Sequence, residues 1–203
     1  MCGVVGFSCN APTHEHYDLL RRIMHESKIR GLHSFGLSYV NEGIRTHKAH
    51  NLDELQIPRA TRIIFHNRYS TSGDYLNHNN NQPLANDKSA LVFNGVIDMR
   101  TKEEMEEAYD VRLSCDNDGA LLLELCNDNP QDMLAFTQEK NASFAGLVLS
   151  ASNVIYAFRN TNRPLWRATF KGGLYFASTR DILMRAHEQL QPVELKPGMI
   201  YAD

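Results

Sequence analysis

No apolar run in this 203-residue chain approaches the ~20 residues of a membrane-spanning helix. No basic stretch followed by an apolar one marks a secretory signal. There is no positive surplus either. With 21 Lys and Arg against 24 Asp and Glu the net charge is −3, so the footprint of a nucleic-acid or anionic-membrane binder is missing. Cysteine is sparse: Cys2, Cys9, Cys115 and Cys126 form no CxxC pair and no zinc spacing. Without an export signal, free thiols in a reducing cytosol are the expectation. Neither a GxxxxGK[ST] loop nor a dinucleotide fingerprint occurs, and no metal or cofactor is expected. Repeats and Pro/Gly-rich linkers are lacking too, so one domain over residues 1–203 is the economical reading. Apolar residues at 42% and charged residues at 22% are globular values, and the length suffices for a full core.

What is present begins at the first residues, Met1-Cys2-Gly3-Val4-Val5-Gly6-Phe7. Methionine aminopeptidases favour a small second side chain, so removal of Met1 would leave a terminal cysteine. Such a residue carries a thiol titrating near ~8.5 and an α-amine near ~8. The amine can take the thiol's proton, so one residue supplies nucleophile and base. Gly3 to Phe7 reads as a buried strand that anchors the terminus. Read alone, these seven residues favour the plainer reading of Cys2 as a small buried hydrophobe in a terminal strand.

Periodicity predicts a helix over Tyr17 to Ser27, a hairpin of Leu37 to Val40 with Ile44 to His47, and a helical turn at Asn51 to Leu55. Arg62 to Arg68 is a predicted strand. Asp74 to Gln82 is a polar, asparagine-rich loop closed by Pro83. Ser89 to Phe93 is a strand ending at the turn dipeptide Asn94-Gly95. Helices follow over Lys102 to Tyr109, Asp116 to Cys126 and Gln131 to Glu139. Phe144 to Ser150, Val154 to Arg159 and Gly173 to Ala177 are strands, and Ser178 to Gln189 is a helix. Val193 to Leu195 and Met199 to Tyr201 read as a last hairpin around Lys196-Pro197-Gly198. Strands, helices and strands again indicate α+β with stacked sheets.

Several stretches, in order, resemble one family. Met1-Cys2-Gly3-Val4-Val5-Gly6 is similar to the start of the class II glutamine amidotransferase domain, an N-terminal nucleophile hydrolase found at the front of asparagine synthetase, glucosamine-phosphate synthase and amidophosphoribosyltransferase. Arg30-Gly31-x-His33-Ser34-x-Gly36 resembles its Arg-Gly-x-Asp-Ser-x-Gly loop. His66-Asn67-Arg68-Tyr69-Ser70-Thr71-Ser72-Gly73 resembles His-x-Arg-x-Ala/Ser-Thr-x-Gly. Asn80-Asn81-Gln82-Pro83, Phe93-Asn94-Gly95-Val96-Ile97, Asp118 before a helix, Phe158-Arg159, Arg163-Pro164-Leu165, Phe176-Ala177-Ser178 and Leu195-Lys196-Pro197-Gly198 complete the series.

The resemblance implies a four-layer αββα sandwich of two mainly antiparallel sheets. It implies L-glutamine as substrate, with Cys2 forming a γ-glutamyl thioester. The oxyanion would be held by the Asn94 side chain and the Gly95 N–H. Arg68 would pair with the substrate carboxylate as a guanidinium fork, Asp118 (or Asp116) with its ammonium, and Thr71 and Ser72 would line the pocket. Without the resemblance, Asn94-Gly95 is a plain turn, Arg68 a strand-end arginine, and Asp116 or Asp118 a helix N-terminal charge. The chain departs from the family at His33, where Asp is usual, and at Tyr69, Ser72 and Gly119-Ala120. His14, His16, His25, His47, His50, His78 and His187 stand at no ligand spacing and read as surface or packing residues.

No acceptor-chemistry motif follows the amidotransferase-like series. The resemblance therefore implies a separate synthase that receives ammonia, or a longer protein. Asp74 to Gln82, between the Arg68 and Asn94 motifs, reads as a lid. Two other readings stay open: an N-terminal nucleophile amidohydrolase acting on another amide, and a non-catalytic binding or regulatory module that keeps the fold.

Overall fold

Alternating side chains along the strands set the layers. In β1 (Gly3–Ser8), Val5 and Phe7 join one apolar cluster and Val4 joins another, so the strand is buried on both faces. The structure is a computed structural model that describes residues 1–70 and 74–203. β2 (Ser34–Val40), β3 (Ile44–Ala49) and β4 (Arg62–Arg68) lie to one side of β1 in the same sheet. On its other side are β10 (Gly173–Ala177), β9 (Trp166–Phe170) and β11 (Val193–Glu194), giving the order β11-β9-β10-β1-β4-β2-β3. A second sheet runs β12 (Ile200–Ala202), β8 (Ile155–Arg159), β7 (Ser143–Ser150), β6 (Ser89–Val96) and β5 (Leu84–Ala85). Neighbouring strands in both sheets pair antiparallel.

Three apolar layers separate four layers of structure. Leu19, Leu20 and Ile23 of α1 (His14–Ser27) and Leu183 of α5 (Arg180–Ala186) cover Val5, Phe7 and Phe65 on the outside of the first sheet. Val4, Ile64, Val92, Leu147 and Phe176 fill the gap between the sheets. Met105 of α2 (Lys102–Tyr109), Leu121 and Leu122 of α3 (Ala120–Leu125) and Met133 of α4 (Pro130–Glu139) cover Leu91, Phe93 and Phe144. This is the αββα sandwich. No helix among the described residues is long and apolar enough to cross a membrane.

Four expectations are corrected. β6 does not stop at Phe93: the ladder continues with Asn94 opposite Ala145 and Gly95 opposite Phe144, so Asn94-Gly95 is strand, not turn. The helix predicted from Asp116 is regular only from Ala120, because Asn80 and the backbone after β6 take up the side chains of 116–118. Trp166–Phe170 is a strand that periodicity did not mark. The last two strands are not a hairpin, since β11 pairs with β9 in one sheet and β12 with β8 in the other. Leu195 sits in the inter-sheet core, and Gly198, at φ +71°, donates to the Arg159 carbonyl, which turns the chain across the sandwich edge.

Candidate active site

At one end of the sandwich the inter-sheet core runs out of apolar residues. Val4 pairs with His66 and Gly3 with Asn67, so the next step of that register sets Cys2 beside Arg68. Val4 and Ile64 face the second sheet. By alternation Cys2, His66 and Arg68 face it too, and from the opposite sheet Asn94 follows Val92. Beyond the apolar residues the gap thus turns polar. A cavity of about 620 Å³ opens there, lined by Cys2, Arg68, Tyr69, Gly95, Asp116 and Asp118 among others, within the range of small-molecule sites.

The terminus is held from three directions. Ser178 accepts the Val4 N–H through its hydroxyl (2.8 Å) and donates its own N–H to the Val4 carbonyl (3.0 Å). Arg30 Nε donates to the Cys2 carbonyl at 2.7 Å. The thiol, half-buried, lies 3.8 Å from the Tyr69 carbonyl. Burial pushes the Cys2 thiol above its usual pKa; the Tyr69 backbone, the terminal ammonium, Arg68 and Arg30 pull it back. A base is needed to form the thiolate at neutral pH.

Arg68 is buried and donates to the Asn80 carbonyl (3.1 Å) and to Asn81 Oδ1 (2.6 Å). Asn94 is buried, and its amide nitrogen has no hydrogen-bond partner among the described residues. Asn94 is not among the residues that line the cavity; Gly95 is. A Cβ at Gly95 would overlap the Ser143 carbonyl of β7, so the glycine also lets two backbones approach. Asp118 accepts the N–H groups of Ile97 (2.6 Å) and Asp98 (3.2 Å), and burial raises its pKa. Asp116 accepts from Asn80 Nδ2 at 3.0 Å. Both carboxylates reach the same cavity. Thr71 and Ser72 lie outside the described residues.

Residues without an assigned role in the sequence reading complete the frame. Asn67, fully buried, donates to the Ser27 and Gly31 carbonyls at 2.9 and 3.0 Å and accepts the Ser27 hydroxyl at 2.9 Å. It thereby fixes the loop that carries Arg30. His66 is fully buried, and desolvation, with Arg68 nearby, lowers its pKa to about 3, so it stays neutral. His33 Nδ1 accepts the Ser70 N–H at 2.8 Å. The motif spacing marked Asn67, His66 and His33 as members of ordered stretches; their partners depend on strand register and had no local signal.

No family model and no curated protein sequence matches the chain. Its fold does match solved structures. Glutamine phosphoribosylpyrophosphate amidotransferase from B. subtilis, complexed with ADP and GMP, superposes with a TM-score of 0.75 at 17% identity over 100% of this chain and 49% of that one. A structure described as the allosteric regulatory enzyme of purine biosynthesis superposes with a TM-score of 0.79 at 20% identity, over 99% of this chain and 46% of that one. The chain thus spans about half the length of either. It shares its fold, the αββα sandwich of two antiparallel sheets, with these two structures.

Proposed function

We propose that the chain is a class II glutamine amidotransferase that hydrolyses L-glutamine and yields ammonia for a separate synthase. The observation that carries this is the meeting of Cys2, Arg68, Gly95 and two carboxylates at one cavity, beside a buried Asn94 amide with no partner among the described residues.

With Met1 removed, the Cys2 α-amine takes the thiol proton and the thiolate attacks the side-chain carbonyl carbon of glutamine. The oxyanion is stabilised by Asn94 Nδ2 and the Gly95 N–H, donors fixed before the charge appears. Collapse expels ammonia, protonated by the α-ammonium, and leaves the thioester. The amine then draws a proton from water, which attacks the thioester and releases glutamate. Arg68 pairs with the substrate carboxylate, and Asp118 or Asp116 with its ammonium. Ammonia is mostly protonated in water, so a docked synthase that receives it through a shielded path fits this chemistry better than release.

The test is glutamate and ammonia release from L-glutamine by the purified chain with Cys2 as first residue. Turnover in the wild type and none in Cys2→Ala, with both folded, supports the reading. Equal turnover in the two overturns it. Turnover of another primary amide but not of glutamine would favour the amidohydrolase reading.

A further inference from the structure

Three histidines outside the cysteine chemistry converge on the segment that carries Asn80 and Asn81. His33 precedes β2 and His50 follows β3. Because Phe35 pairs with Ala49, these two histidines sit side by side at one end of the hairpin, His50 Nδ1 3.4 Å from the His33 carbonyl. Against them lies residues 74–82, through Tyr75 and His78. The ring of His33 stacks on Tyr69 (5.2 Å between centroids) and on Tyr75 (4.8 Å). His50 meets Tyr75 edge-on at 6.5 Å and stacks on His78 at 4.3 Å. Lys48 Nζ donates to the His78 carbonyl at 2.9 Å.

The hydrogen bonds define which form of the His33 and His78 rings fits. His33 Nδ1 accepts the Ser70 N–H, so it must carry a lone pair. Asn81 Oδ1 is committed to Arg68, which aims Asn81 Nδ2, a donor, at His78 Nδ1, 3.3 Å away. His78 Nδ1 must therefore be an acceptor as well. Adding a proton to either ring sets N–H against N–H. A charge on His78 would also face the His50 ring at 4.3 Å and the Lys48 ammonium, with Glu54 acting the other way. Tyr69 and Tyr75 are the other rings in contact.

This matters to the cavity because the same segment holds the substrate-gripping groups. Arg68 donates to Asn80 and Asn81, Asn80 donates to Asp116 Oδ2 at 3.0 Å, and the Asp116 N–H donates to Asn80 Oδ1 at 3.0 Å. We infer that the rings of His33, His50 and His78 latch residues 74–82 onto the β2–β3 hairpin, and that His33 is a positioning residue for Arg68 and Asp116 in glutamine binding. The inference rests on the proposed function for its substrate alone. Burial, then His50 and Lys48, lower the His78 pKa, in the same sense. The sign follows for His78: a ring whose latched form resists protonation contributes fully above the ordinary histidine value of about 6.5. Its contribution is lost as pH falls through the lower, latched value.

The experiment pairs hydrogen exchange with kinetics on the full chain from pH 8 to 5. Amide exchange in 74–82, corrected for the intrinsic rate, should lose its protection as pH falls below about 6.5, while β1 and β4 stay protected. The glutamine KM should rise about tenfold over the same range, beyond any change in kcat. His33→Asn offers Oδ1 to the Ser70 N–H in place of the ring nitrogen and should undo most of the rise in KM that His33→Leu causes. His33→Leu should raise KM at pH 7.5 with kcat within about twofold. Protection of 74–82 that does not change with pH in the wild type overturns the latch, whatever the turnover. A pH-dependent loop in a chain that releases no glutamate keeps the latch and rejects the function.

Discussion

A buried amide nitrogen without a partner costs roughly 1–3 kcal/mol in an ordinary core. Asn94 carries one, with no partner among the described residues, at the end of the inter-sheet gap. Its loss should therefore not weaken the fold. Asn94→Ala should lower kcat by about 10²–10³ with a smaller change in KM and no fall in Tm, because it removes charge stabilisation needed only in the transition state. Arg68→Ala should show the opposite kinetic pattern. It leaves the substrate carboxylate unpaired, a loss of roughly 2–4 kcal/mol that appears in KM. Steady-state kinetics with thermal melts on the two variants decides; if Arg68→Ala moves kcat and Asn94→Ala moves KM, the two roles are exchanged. That Cys2, Arg68 and Gly95 meet at one cavity was legible because each sits in a short ordered motif. The grip of Arg30 on the Cys2 carbonyl at 2.7 Å was not, since it joins residues 28 apart through the packing of α1 on β1.

At the level of elements, strand edges were legible wherever apolar alternation was unbroken, as in Arg62–Arg68, which matches residue for residue. Local turn chemistry misled where tertiary pairing overrode it. Asn94-Gly95 has the composition of a hairpin turn, yet eight residues of β7 pair with β6 through Val96 and hold the dipeptide extended. The final strands likewise flank a genuine Pro-Gly turn, but their partners lie in different sheets, a fact no local pattern carries. The β6–β7 contact makes a prediction. Gly95→Ala must push the Ser143 carbonyl away, so it should lower Tm and kcat together, unlike Asn94→Ala, which lowers kcat alone. A Gly95→Ala variant with unchanged Tm and normal turnover would remove Gly95 from both roles.

For the whole molecule, the two sheets are tied at the end opposite Cys2. The Asp203 carboxylate accepts from Arg62 Nε (2.8 Å) and from Ser8 in one sheet, and from the Ile155 N–H (2.6 Å) in the other. Its side chain is 2% exposed and that of Arg62 16%, so Asp203→Ala strands a largely buried guanidinium and should cost up to about 3 kcal/mol, seen as a lower denaturant midpoint. Because that clamp is remote from the cavity, KM at a temperature where the variant remains folded should not change; a raised KM would mean the sheets shift as a unit around the site. The central claim is that Cys2, at the processed terminus, is the nucleophile for glutamine. Its most direct measurement is mass spectrometry of untagged protein after incubation with an electrophilic diazo-ketone analogue of glutamine. The account predicts a chain that begins at Cys2, one adduct, and that adduct on Cys2 with Cys9, Cys115 and Cys126 unmodified. An adduct on one of those three with loss of turnover, or full turnover in a chain that retains Met1, would contradict it.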